Sequence, residues 1–198
     1  MGQETTSQPA IDVVNYDPKW QDLFGQLRGR IWPSVCDFAV GIDHVGSTAV
    51  PGLAAKPVID IDIVVASRQE VPLAITRLTN LEYTHLGDLG IPDREAFGNP
   101  PWGLAHNLYV CTSESLALRN HIAFRDYLRA HPTEVMEYSA LKKKLACEFS
   151  YDIATYVEGK SNFILSVLSK QGFSAHSTDS IRRVNRKAEA SNGKATDL

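Results

Sequence analysis

Apolar positions along this chain recur with two different periods, and the change between them sets out its elements. After Asp17, a candidate helix cap with Pro18 at the first helical position, Trp20, Leu23, Phe24, Leu27 and Ile31 follow at helical spacing. Phe38 to His44 reads as a strand, and Gly46-Ser47-Thr48, Pro51-Gly52 and Pro57 mark the stretch after it as turn and loop. Val58 to Val65 is a second strand. Ser67 with Glu70 has the spacing of a capping box ahead of Val71, Ile75 and Leu78. The stretch from Glu82 to Cys111, richer in Gly and Pro, predicts further strands, with Leu104 to Cys111 the clearest. Helical spacing then returns over Glu114 to Ala130, Thr133 to Phe149 and Ile153 to Lys170, with a break at His131-Pro132. Ile11 to Val14 suits a short extended segment. Residues 1–10 and 171–198 lack periodic apolar positions and read as flexible tails.

This order predicts an α+β fold, a mixed β-sheet flanked by helices with a helical C-terminal subdomain. A single domain is expected over 11–170, its sheet-containing half at about 11–112 and its helical half at about 113–170. At 198 residues the chain is long enough for one well-buried core.

One strand departs from plain amphipathicity. In Ile59-Asp60-Ile61-Asp62-Ile63-Val64-Val65, alternation sends the isoleucines to one face and both aspartates to the other. Two carboxylates so close repel each other unless a cation lies between them or one takes up a proton. Magnesium suits such a pair, since it accepts one or two carboxylates plus phosphate oxygens, and backbone N–H groups of a glycine-serine turn just upstream suit the phosphates. The competing reading is a solvated edge strand with alternating polar residues.

Charge and cysteine content narrow the possibilities. A net charge of −3 gives no general reason to bind nucleic acid. Residues 174–198 hold five basic and three acidic side chains, which makes the tail mildly basic and the body acidic. Cys36, Cys111 and Cys147 are widely spaced with no CxxC pair, so they are expected to be buried small hydrophobes rather than zinc ligands or disulfides. No apolar run approaches the ~18 residues of a membrane span, and the N-terminus lacks the pattern of a secretory signal, so a cytoplasmic protein is the default.

The run His44-Val45-Gly46-Ser47-Thr48-Ala49-Val50-Pro51-Gly52-Leu53-Ala54-Ala55-Lys56-Pro57-Val58-Ile59-Asp60-Ile61-Asp62 resembles the signature of the GrpB-like family of predicted nucleotidyltransferases. Phe124 to Pro132, Leu141-Lys142 and Tyr156 to Lys160 resemble the helical half of the same family. The resemblance covers about residues 11–170. It implies a fold similar to DNA polymerase β and the small antibiotic nucleotidyltransferases, in which a Gly-Ser turn precedes an Asp-x-Asp strand. It gives Gly46, Ser47 and Thr48 the triphosphate, and Asp60 and Asp62 a Mg2+ or Mn2+ ion. The superfamily usually adds a third carboxylate on a neighbouring strand. Here that strand, Leu104 to Val110, offers only the adjacent His106 and Asn107, leaving His106 as the candidate base, with Asp88, Asp93 or Glu95 of the preceding loop as alternatives.

Lys56, Arg94, Arg125, Lys142 and Lys160 complete the candidate set as phosphate or substrate contacts, each weighed against an ordinary solvated cation. His44 is expected to brace the turn by hydrogen bonding. Trp102, Tyr109, Phe124 and Tyr156 are read as core aromatics before stacking platforms. The expected activity is metal-dependent transfer of a nucleoside monophosphate from an NTP to a small-molecule acceptor, because the acidic body lacks the basic face a polynucleotide requires. The alternative is a catalytically inactive nucleotide-binding or partner-binding module, auxiliary to coenzyme A metabolism, since similar domains occur fused to dephospho-coenzyme A kinases.

Overall fold

The computed structural model of the chain describes residues 10–192, with side chains through residue 183. Five strands, β1 (Ala39–Val45), β2 (Ile59–Val65), β3 (Thr84–Gly87), β4 (Arg94–Gly98) and β5 (His106–Thr112), form one sheet in the order β1-β2-β5-β4-β3. β2 pairs antiparallel with β1 and parallel with β5, so the sheet is mixed. β2 is therefore an interior strand and all seven of its residues are buried, which removes the edge-strand reading of its aspartates.

Helices α1 (Lys19–Val35) and α2 (Val71–Asn80) cover one face of the sheet. Trp20, Leu27, Ile31, Val35, Ala74 and Leu78 pack there against Ile59, Ile61, Ile63, Val65, Leu108 and Val110. The local signals act in part as expected. The Ser67–Glu70 pair makes only the return bond of a capping box, Ser67 Oγ accepting from the Gln69 N–H instead of the Glu70 N–H, and α2 begins three residues later than a cap at Ser67 implies. Asp17 Oδ1 accepts the Lys19 N–H at 3.0 Å, and Ser67 N–H donates to Glu70 Oε2 at 2.9 Å.

The opposite face meets α3 (Leu116–Ala130), which begins at Ser115, whose Oγ accepts the Leu118 N–H at 3.2 Å. Val64, Ala96, Tyr109, Cys111 and Leu118 form a small cluster between sheet and helix. α3 continues into α4 (Pro132–Glu148) and α5 (Ile153–Lys170), whose own core includes Phe124, Leu128, Tyr138, Ile164 and Leu168. Val50 and Leu53, from the loop after β1, insert into that same core and tie it to the sheet.

Two expectations are corrected. Residues 175–192 form a further helix, α6 (Ala175–Asn192), where a flexible tail was expected. Few apolar residues mark it, yet Phe173 and a buried Ile181 join the helical core and hold it in place. The expected flexible residues 1–9 and 193–198, and the side chains of Arg186 and Lys187, lie outside the described residues. Only Cys111 is a buried small hydrophobe; Cys36 and Cys147 are exposed because they sit at the end of α1 and on the outer face of α4. Among the described residues no helix is long and apolar enough to cross a membrane.

Candidate active site

The loop after β1 turns sharply at Gly46, whose φ is +69°, into a single 3-10 turn at Ser47–Ala49. A side chain at position 46 would be strained in this conformation and would also strike the Asp60 carboxylate. Glycine thus lets the turn lie directly on the first aspartate. His44 braces the turn as expected: its Nε2 lies 3.0 Å from Thr48 Oγ1, which in turn donates to Val58 O at 3.2 Å. Burial, then the charges of Arg129 and Arg125, lower the His44 pKa to about 4, so the ring is neutral and its Nε2–H is the donor.

Asp60 and Asp62 are 4 % and 0 % exposed. Asp60 Oδ1 accepts from Asn107 Nδ2 at 2.7 Å, Asn107 being its register partner on β5. Burial raises the Asp60 pKa to about 7, against the opposing pull of Asn107, His121 and Lys56. Asp62 Oδ2 accepts from His121 Nδ1 of α3 at 2.7 Å. Its Oδ1 is buried with no hydrogen-bond partner. A carboxylate oxygen that has lost water and gained nothing in exchange is costly, and its own chemistry suits a hard cation. Among the described residues no group of three or more His, Cys, Asp and Glu side chains is placed to hold a metal. Protein ligation of a cation here would therefore rest on the two aspartates, with substrate or water oxygens completing the shell.

Lysines close over this corner. Lys142 of α4 is 2 % exposed and donates from Nζ to Ser47 Oγ at 2.8 Å, with Nζ 4.7 Å from the Tyr138 ring centroid. Burial holds its pKa well below that of an ordinary lysine, with Asp60 pulling the other way. Lys56, also lowered by burial, feels the Asp60 charge too. Its Nζ stands 6.0 Å from the Tyr156 ring centroid, and that of the buried Lys160 stands 4.4 Å from the same ring. The structure thus brings Gly46, Ser47, Thr48, Lys56, Asp60, Asp62, Lys142 and Lys160 to one corner of the fold.

Three candidates fall elsewhere. His106, expected as the base, is on the other face of the sheet: it is in register with Ile59, so alternation turns it away from both aspartates. Its Nδ1 donates to Leu104 O at 2.5 Å and its Nε2 accepts from Tyr83 OH at 2.8 Å, a neutral, fully bonded structural imidazole whose pKa is lowered by burial. Arg125 is spent on Asp43, Asp126 and the carbonyl of His44, fastening α3 to β1. Arg94 shares the aspartate face but lies beyond Tyr109, away from the turn. None of the loop alternatives reaches the pair either. Asp93 pairs with Arg68, Glu95 pairs with His85, and Asp88 accepts the Gly90 N–H.

His121, Arg129 and Asp43 were missed in the sequence. Arg129 grips the turn with two hydrogen bonds to Ala49 O, at 3.0 and 2.8 Å. Asp43 is in register with Asp62, but its carboxylate is taken by Arg125. The available signal for His121 was its place on the buried stripe of α3 with Leu118 and Phe124, where a polar side chain needs a partner.

The family described as GrpB protein matches this chain over residues 10–170. The UPF0157 protein YqkA of Bacillus subtilis is 34% identical over 154 residues, 78% of this chain and 45% of YqkA, so the chain spans less than half of that relative. A dephospho-CoA kinase of Mycolicibacterium paratuberculosis is 28% identical over 175 residues, 76% of this chain and 43% of the kinase. The crystal structure of the conserved protein GrpB from Enterococcus faecalis superposes with a TM-score of 0.72 at 29% identity, covering 80% of this chain and 96% of that one. With the turn, the aspartate strand and the lysine-bearing helices all inside the matched residues, the chain belongs to the GrpB family.

Proposed function

We propose that the protein is a metal-dependent nucleotidyltransferase that moves a nucleoside monophosphate from an NTP to a small-molecule acceptor. The observation that carries this reading is the bare, fully buried Oδ1 of Asp62 beside Asp60. Asp60 and Asp62 would hold Mg2+ or Mn2+, which when bound neutralises charge on the phosphates under attack. Around it, the chain's own residues bind and orient. Lys142, Lys56 and Lys160 supply positive charge for a triphosphate, and Ser47 exchanges its bond to Lys142 for one to a phosphate oxygen. Asn107 and His121 fix the two carboxylates so that little reorganisation accompanies reaction. Burial excludes water and favours the acceptor over hydrolysis.

Thermal denaturation with each common NTP, with and without Mg2+ or Mn2+, tests the reading on the wild type and on Asp62→Asn. Metal-dependent stabilisation by an NTP in the wild type alone is the expected result, followed by pyrophosphate release once an acceptor is supplied. An NTP shift of equal size without metal, or in Asp62→Asn, would overturn the metal assignment.

A second reading, an inactive nucleotide-binding or partner-binding module, is favoured by Asn107. It is the polar side chain beside Asp60 on β5, a neighbouring strand of the kind from which the superfamily usually supplies a third carboxylate. The match to part of a dephospho-CoA kinase makes an auxiliary role near coenzyme A metabolism the natural setting for such a module. NTP binding without pyrophosphate release across a panel of acceptors is its signature.

A further inference from the structure

Arg94 is 2 % exposed, among the largest fully buried side chains of the protein. It opens β4 in register with Cys111, which is in register with Val64, so it projects from the same face as Asp60 and Asp62. Its guanidinium carbon lies 4.4 Å from the centroid of the Tyr109 ring. Beyond that ring it makes no hydrogen bond or ion pair among the described residues, and its Nε is sealed from solvent without a partner. The contrast with the other arginines near the sheet is sharp. Arg125 ends on Asp43 and Asp126, and Arg129 on Ala49 O, although both are more exposed. A ring face returns only part of what desolvating a guanidinium costs, and the atom left buried without a partner is Nε, a donor that an oxyanion would satisfy.

Tyr109 also indicates how that anion relates to the aspartates. It is the register partner of Asp62, and its ring centroid is 6.2 Å from that of His121, which holds Asp62. The ring, packed with Val64, Ala96, Cys111 and Leu118, therefore stands between a bare guanidinium nitrogen and the bare carboxylate oxygen of Asp62. Strands β2 and β4 are separated by β5 alone, so their backbones stand roughly 10 Å apart. That span suits a small molecule with an anionic group at one end and a hydroxyl or amine at the other.

We propose that Arg94, over the Tyr109 ring, is a subsite for the carboxylate or phosphate group of a small anionic acceptor, whose nucleophilic end lies towards Asp62. The role as acceptor subsite rests on the nucleotidyltransferase reading; anion binding at Arg94 does not. A guanidinium recognises either oxyanion through paired N–H donors, and the two are separated by experiment.

The test is the Arg94 Nε–Hε resonance of the full chain, assigned by its disappearance in Arg94→Lys or, if that variant does not fold, in Arg94→Gln. Sodium acetate and inorganic phosphate are titrated separately, without nucleotide or divalent metal, against sodium chloride at matched ionic strength. A saturable shift with acetate or phosphate and none with chloride is expected; the anion giving the tighter curve names the acceptor's terminal group. No shift with either oxyanion, or an equal shift with chloride, overturns the proposal. The same titration on Asp60→Asn should leave the Arg94 response unchanged. Absence of metal-dependent NTP binding alongside an intact Arg94 response would thus break the proposed activity without touching the anion site.

Discussion

The two faces of β2 are built from alternate residues of one strand and do opposite things. On one, Ile59, Ile61, Ile63 and Val65 pack into a layer with α1 and α2, and the histidines nearest them, His44 and His106, are held neutral by burial. The bare polar atom on that side, His44 Nδ1, belongs to an uncharged ring. On the other face a carboxylate oxygen and a guanidinium nitrogen are both bare and buried, and Lys142 is pressed against a serine. The first face stabilises the fold. The second holds charges whose burial costs stability, a cost a ligand would offset.

Substituting neighbours on the strand should separate the two roles. Asp62→Asn is expected to abolish metal-dependent stabilisation by NTP while changing stability in urea by no more than about 1 kcal/mol. Its neighbour Ile61→Ala should behave in reverse, losing about 3 to 4 kcal/mol in urea through the cavity it leaves while the folded fraction still responds to metal and NTP. A ligand response that disappears in Ile61→Ala and survives in Asp62→Asn would break the comparison.

Acid should attack the apolar face first. His44 has a folded-state pKa of about 4 against 6.5 for an unperturbed ring, so between these values the unfolded chain binds a proton that the folded chain refuses. Stability from this group is intact above pH 6.5 and falls as pH drops towards 4, by about 2 to 3 kcal/mol. In urea titrations from pH 7 to 4.5, His44→Asn should remove that part of the acid sensitivity. The smallest effect expected is that of His106→Gln, about 1 kcal/mol from the weakened bond to Tyr83, with NTP and metal response unchanged. Loss of that response would return His106 to the active site.

Much of this contrast was legible in the sequence because strand alternation is a local rule. It separates Asp60 from Ile61 with no knowledge of what lies opposite, and the Gly46-Ser47 turn is marked by residues adjacent in the chain. His106 was misassigned because its role depends on register. Sequence shows that His106 and Asn107 occupy opposite faces, but only the parallel pairing with β2 shows that Asn107 meets Asp60. His121 and Arg129 lie far along the chain from the turn and the aspartates. Their contacts depend on how α3 crosses the sheet, which is a matter of packing that periodicity does not encode. The helix after residue 174 escaped for a different reason. Its described anchor to the core is Ile181, supported by Phe173 just before it, too sparse a signal to stand out from a polar tail.

The links between α3, α4 and the turn have a kinetic consequence. Lys142 occupies Ser47 Oγ while Arg129 holds Ala49 O, so under the proposed activity a triphosphate docking on the turn would have to wait for Lys142 of α4 to release the serine. Association would then level off at high nucleotide concentration, at the rate of that release, and Lys142→Met would speed entry even as it weakened the hold on what had entered.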